Sequence, residues 1–144
     1  MKYILILTVL LTSTAFAAPD FDETMALAKQ GNSWGQLRLA IMYDKGEGIP
    51  ENDVEAVKWY RKAAVQGDPD AQHNLGAMYY VGDGVTENNI SAYVWLSMAK
   101  THGNLNAAKS LEILKPHMTK QQIAVGQALA AKCYESDRKD CEMK

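Results

Sequence analysis

An excess of basic charge is missing from this sequence: 15 Lys+Arg stand against 17 Asp+Glu, a formal net charge of −2 over 144 residues. Domains that hold nucleic acid carry a basic face or stripe, so no nucleic-acid partner is expected. Cysteine is scarce at two residues, too few for a small domain built on a disulfide framework. No apolar run reaches the ~20 residues that span a bilayer as a helix. Nor does any segment alternate as a half-buried strand does. Disorder is equally unsupported, because 47% of the residues are hydrophobic and only 22% are charged. What is present suits one modest domain with a real core.

The first residues read as a leader. Met1-Lys2 opens with a positive charge, Tyr3–Leu11 is almost wholly apolar, and Ala15-Phe16-Ala17 offers the small-x-small pattern of a secretory cleavage site. The expectation is a signal peptide over 1–17 and an exported chain, periplasmic or secreted, with no membrane span in its mature form. No cysteine adjoins the cleavage point, so a lipoprotein anchor is not expected.

Beyond the leader the sequence repeats itself at a shift of 36 residues, from Gly31 to Gly67 to Gly103. In that register Leu39 meets Leu75, Met42-Tyr43 meets Met78-Tyr79, and Gly46 and Gly48 meet Gly82 and Gly84. Glu51-Asn52 meets Glu87-Asn88, and Ala56, Trp59 and Ala63 meet Ala92, Trp95 and Ala99. Each copy reads as two helices. Asp68-Pro69 is a cap followed by proline at the first helical position, where its missing N–H costs nothing. Gly82 and Gly84 break the chain, Asn88 or Asn89 caps the second helix, and Ala92, Trp95 and Ala99 make its apolar stripe. Ahead of these, Phe21–Gln30 matches a lone second helix. Behind them, Asn106–Lys115 is a third first-type helix stopped by Pro116, and Thr119-x-x-Gln122 is a capping box opening a last helix through about Tyr134. The expected domain is therefore 18–144: a half repeat at about 21–31, repeats at about 32–67 and 68–103, and capping helices at about 104–138.

The motif Leu75-x-x-Met78-Tyr79-x-x-Gly82-x-Gly84, followed by Glu87-Asn88, Ala92, Trp95 and Ala99, resembles the Sel1-like repeat, a relative of the tetratricopeptide repeat. The resemblance covers about 21–138. It implies an all-α fold, a short right-handed α-solenoid of helix pairs ended by a capping helix, and an adaptor or assembly scaffold needing no cofactor. Secreted cysteine-rich Sel1-like proteins, associated with penicillin binding and weak β-lactamase activity, also resemble this chain; they place a cysteine pair in each repeat, whereas this chain has one pair at its end. A weak β-lactam or cell-wall peptide hydrolase is thus the alternative implied.

Cys133 and Cys141 would sit about 12 Å apart on a continuous helix, beyond the ~7 Å limit for a disulfide. A disulfide, expected in an exported chain, therefore requires the helix to end near Tyr134–Ser136 and the chain to turn back. Two sulfurs without a nearby histidine fall short of a metal site, so none is expected. Ser97-x-x-Lys100 matches the S-x-x-K nucleophile motif, but the S-D-N and K-T-G companions are lacking. No catalytic residue is assigned. His73, His102 and His117 fall in different elements, and His102 at a helix end suits the helix dipole. Trp59, Trp95, Tyr43 and Tyr79 recur in register as packing positions. Trp34, Tyr60, Tyr80 and Tyr93 break register.

The first helices of a solenoid line its concave face, where varied residues select a partner. Helical spacing puts Leu37, Arg38, Ile41 and Asp44 there in one copy, His73, Asn74, Ala77 and Tyr80 in the next, and Lys109, Ser110 and Ile113 in the third. A peptide or protein partner held by this groove, on a monomer or weak dimer, is the function expected.

Overall fold

The computed structural model describes residues 20–138 and Cys141, so the expected leader lies outside the described residues. Those residues form seven α-helices and no strand. They are α1 (Phe21–Lys29), α2 (Ser33–Lys45), α3 (Asp53–Val65), α4 (Pro69–Val81), α5 (Asn89–Thr101), α6 (Ala107–Leu114) and α7 (Lys120–Glu135), with a 3₁₀ turn at Lys115–His117.

The 36-residue register reappears as local chemistry. Asn52 and Asn88 cap α3 and α5, their side-chain oxygens accepting from the Glu55 amide at 3.1 Å and the Ser91 amide at 3.0 Å. Asp68 caps α4 with Pro69 in the first turn, and α2 and α4 both end on left-handed glycines, Gly46 and Gly82. The Thr119–Gln122 capping box forms in full, with bonds of 3.1 and 2.8 Å. Pro116 does not simply stop the third first-type helix. Without its N–H the chain tightens into the 3₁₀ turn before α7 begins.

Consecutive helices from α1 to α6 pack on one another, and α7 passes over α6 to lie on α5. Ala56, Ala63, Ala92 and Ala99 are fully buried and let the helices approach closely, while Trp59 and Trp95 are buried beside them. A polar ladder ties repeat to repeat beneath this core. Gln36 donates to the Ala28 carbonyl at 3.2 Å, and its equivalent Gln72 donates to the Ala64 carbonyl at 3.0 Å, so each buried amide gives a second hydrogen bond to a carbonyl in the last turn of a preceding helix, which already accepts from Gly31 or Gly67.

Cys133 and Cys141 are joined, with Cα atoms 4.7 Å apart, and both are buried in the main core cluster. As the spacing requires, the chain reverses after Glu135, with Asp137 and Arg138 at φ 50° and 69°. The Arg138 amide donates to the Cys133 carbonyl at 2.8 Å, and its guanidinium Nε donates to the Val65 carbonyl at 3.0 Å. The tail therefore fastens the capping helix to the end of α3.

Candidate binding groove

Two hollows open between successive first-type helices, and they are repeat equivalents. The first lies between α2 and α4 and is lined by Asp44, Tyr60, Asn74, Ala77, Tyr80 and Asp83, among others. The second lies between α4 and α6, with Tyr80, Leu96, Ser110 and Ile113 where the first has Asp44, Tyr60, Asn74 and Ala77. Substitution within one architecture has made the first polar and acidic and the second apolar.

Side-chain hydrogen bonds line both. Tyr60 is fully buried and donates its hydroxyl to Asp44 Oδ2 at 3.0 Å. Burial and the adjacent Asp44 carboxylate hold its phenol far above the usual range, so it stays protonated. Asn74 Oδ1, an amide oxygen that can only accept, takes a hydrogen bond from His73 Nδ1 at 3.4 Å. His73 Nε2 then accepts from Ser110 Oγ at 2.9 Å. The Ser110 proton is committed to His73, so Ser110 Oγ and Asp44 Oδ1 are left as acceptors, while the Asn74 amide keeps its N–H donors.

Residues 35–68 and 69–104 each match the Sel1 repeat. The chain belongs to the Sel1 repeat family. It is similar to a Sel1 repeat protein from Oxalobacter formigenes, at 34% identity and a TM-score of 0.62, covering 63% of this chain and 68% of that one. It is also similar to c5321, a protective antigen present in uropathogenic Escherichia coli strains displaying an SLR fold, at 27% identity and a TM-score of 0.79. That likeness covers 84% of this chain but 26% of the antigen, so this chain spans about a quarter of its length. No curated protein matches.

Within this Sel1 repeat chain, Asp44, Asn74, Ala77, Tyr80 and Ser110 come together around the two hollows, and His73 joins them through Ser110. Leu37 and Ile41 instead pack against the core. Arg38 is engaged by Glu47 at 2.8 Å, and Lys109 is exposed on α6. Tyr60 was not placed in the groove by helical spacing, because it belongs to a second-type helix. Its signal was the break in register against Leu96 at the equivalent position.

The remaining sequence candidates are spread apart. Ser97 is half-buried on α5, where its carbonyl accepts from Thr101 Oγ1 at 3.0 Å, and Lys100 is exposed. Tyr93 is buried and Trp34 exposed. His117 stacks obliquely on Tyr80, ring centroids 5.7 Å apart. His102 departs from the dipole expectation. A helix C-terminus would favour the imidazolium, but burial, reinforced by the Arg138 charge, lowers its pKa. A larger surface hollow of about 360 Å³ runs along α3 beside Trp59, where Lys62 sits 4.3 Å above the indole and Lys58 pairs with Glu55 at 2.5 Å.

Proposed function

We propose that this Sel1 repeat chain is an exported, non-catalytic interaction module that holds a peptide or protein partner in the groove crossed by α2, α4 and α6. One observation carries the reading: the two hollows are repeat equivalents whose packing residues recur while their linings differ. Concave solenoid faces are binding surfaces, and an acidic hollow beside an apolar one gives this face the means to orient a partner. Family membership supports a protein partner, and the buried disulfide supports an oxidising compartment, periplasmic or extracellular. Export through a leader at 1–17, a repeat domain at 18–144, and a monomer or weak dimer complete the proposal.

A photo-crosslinking residue tests it. Ala77 is exposed and borders both hollows, so a photoreactive side chain there should yield a discrete adduct in the native envelope. The same side chain at Lys62, beside Trp59 on α3, is the control. Adducts of equal intensity at both sites would defeat the groove reading. A fluorescent penicillin is expected to leave the wild type unlabelled, since Ser97 and exposed Lys100 form no built nucleophile site; covalent labelling lost in Ser97→Ala would reverse the non-catalytic assignment.

A further inference from the structure

We infer that the groove's occupant is a cationic peptide segment, an Arg or Lys side chain entering the hollow at Asp44 while an aliphatic side chain seats one repeat further on, between Leu96 and Ile113. The inference rests on the groove reading and adds the chemistry of the partner.

Its first support is the direction of the hydrogen bonds. Tyr60 takes up Asp44 Oδ2, and Oδ1 accepts no hydrogen bond from the described residues. Asp83 lines the same hollow and has no cationic partner among them. Two carboxylates in one hollow are complemented by guanidinium or ammonium groups, which are donors only.

The second support is how nearby cations are disposed. Arg38 is engaged by Glu47 at 2.8 Å, away from the hollow. Lys45 approaches Asp44 at 3.8 Å, on the oxygen that Tyr60 already holds, and its side chain is 62% exposed. Such a contact is a weak, solvated one, readily displaced by a bidentate guanidinium. Lys109 is exposed on α6 with no carboxylate partner among the described residues, and its charge disfavours a basic side chain at that end. The third support is the neighbouring hollow. Ala77, Leu96, Ile113 and Leu114 line it, and Ile113 is 52% exposed, so an aliphatic anchor has apolar surface to cover. Acidic end and apolar end together set the direction in which a segment lies.

Random linear peptides displayed on phage and selected on the immobilised, disulfide-intact chain provide the probe, with fluorescence anisotropy of the enriched peptides as the readout. The expected result is enrichment of a basic and an aliphatic residue at a fixed spacing. Asp44→Asn retains an acceptor for Tyr60 and should bind at least about tenfold more weakly, in line with loss of a charge-assisted bond. Asp44→Lys should recover binding of the same peptide carrying Glu in place of its basic residue. If enriched peptides lack a basic residue, or Asp44→Asn binds within twofold of the wild type, the cationic assignment is wrong. Ala77→Trp separates the two levels: peptides that still bind this variant lie outside the groove and overturn the groove reading itself. Failure to enrich any peptide overturns both.

Discussion

His102 Nδ1 meets Gln72 Oε1 at 2.8 Å, in the place where, one repeat earlier, Gln66 Nε2 donates to Gln36 Oε1 at 2.7 Å. Gln72 Nε2 is already committed to the Ala64 carbonyl, so its oxygen must accept and His102 must carry a proton on Nδ1. Histidine here performs a glutamine's task. His102→Gln should therefore fold with a Tm close to wild type at pH 7.5. His102→Leu strands a fully buried acceptor and should cost about 1–3 kcal/mol by denaturant unfolding.

The same pair makes a pH prediction. Burial first, and the Arg138 charge second, lower the His102 pKa from its ordinary 6.5. Below that ordinary value the unfolded chain binds the proton more readily than the folded one, so stability is fully present above pH 6.5 and is lost as pH falls toward the folded pKa. Thermal melts from pH 7.5 to 5 should show a shallower decline for His102→Gln than for wild type. Parallel curves would remove His102 as a source of the slope.

Reduction of the Cys133–Cys141 bond should loosen more than the last helix. The closed loop is short, and the chain-entropy account assigns it about 2–3 kcal/mol. Arg138 adds a bond to the Val65 carbonyl at the end of α3, so the tail also supports the middle of the solenoid. Cys133→Ser/Cys141→Ser should lower Tm by several degrees and raise hydrogen exchange at the C-terminus of α3 as well as in α7. Arg138→Ala should reproduce the α3 effect at about 1 kcal/mol with the disulfide intact. Exchange confined to α7 in both variants would contradict this coupling.

Gly48 and Gly84 are repeat equivalents at φ 75° and 64°, yet they differ in surroundings. A Cβ at Gly48 meets nothing within 4 Å, whereas one at Gly84 would overlap the backbone of Asp53 at the start of α3. Gly48→Ala should pay only the left-handed penalty of about 1–2 kcal/mol. Gly84→Ala must also displace α3 and should be clearly worse in urea unfolding.

Much of this architecture could be read without coordinates, because its rules are local. Asp68-Pro69, Asn52, Asn88 and the Thr119–Gln122 box are capping chemistry written within four residues, and the 36-residue register fixed the order of helices. The candidate groove was legible only where it lies on first-type helices: helical spacing put Asp44, Asn74, Tyr80 and Ser110 on the face where the two hollows open. Leu37 and Ile41 have the same spacing but fall at the edge of the buried stripe of α2, and their apolar side chains turn to the core. Tyr60 comes from the second helix of its pair, whose inner face spacing assigns to packing. Arg138 on the Val65 carbonyl joins residues 73 positions apart, and no local pattern records such a contact.

Tyr60 itself supplies the last test. Its ring is fully buried and its hydroxyl is held by Asp44, so the folded state keeps the phenol proton well above the ordinary value of 10.0. The unfolded chain releases that proton near pH 10, and stability is therefore complete below this pH and lost as pH rises past it. In an ultraviolet titration Tyr60 should ionise only as the protein unfolds. Tyr60→Phe should remove that share of the alkaline loss while costing about 1 kcal/mol at neutral pH. It also frees Asp44 Oδ2 from the hydroxyl that holds it, so affinity for a basic peptide should change in this variant even where its fold is intact. An unchanged alkaline limb in Tyr60→Phe would mean that other tyrosines govern the transition.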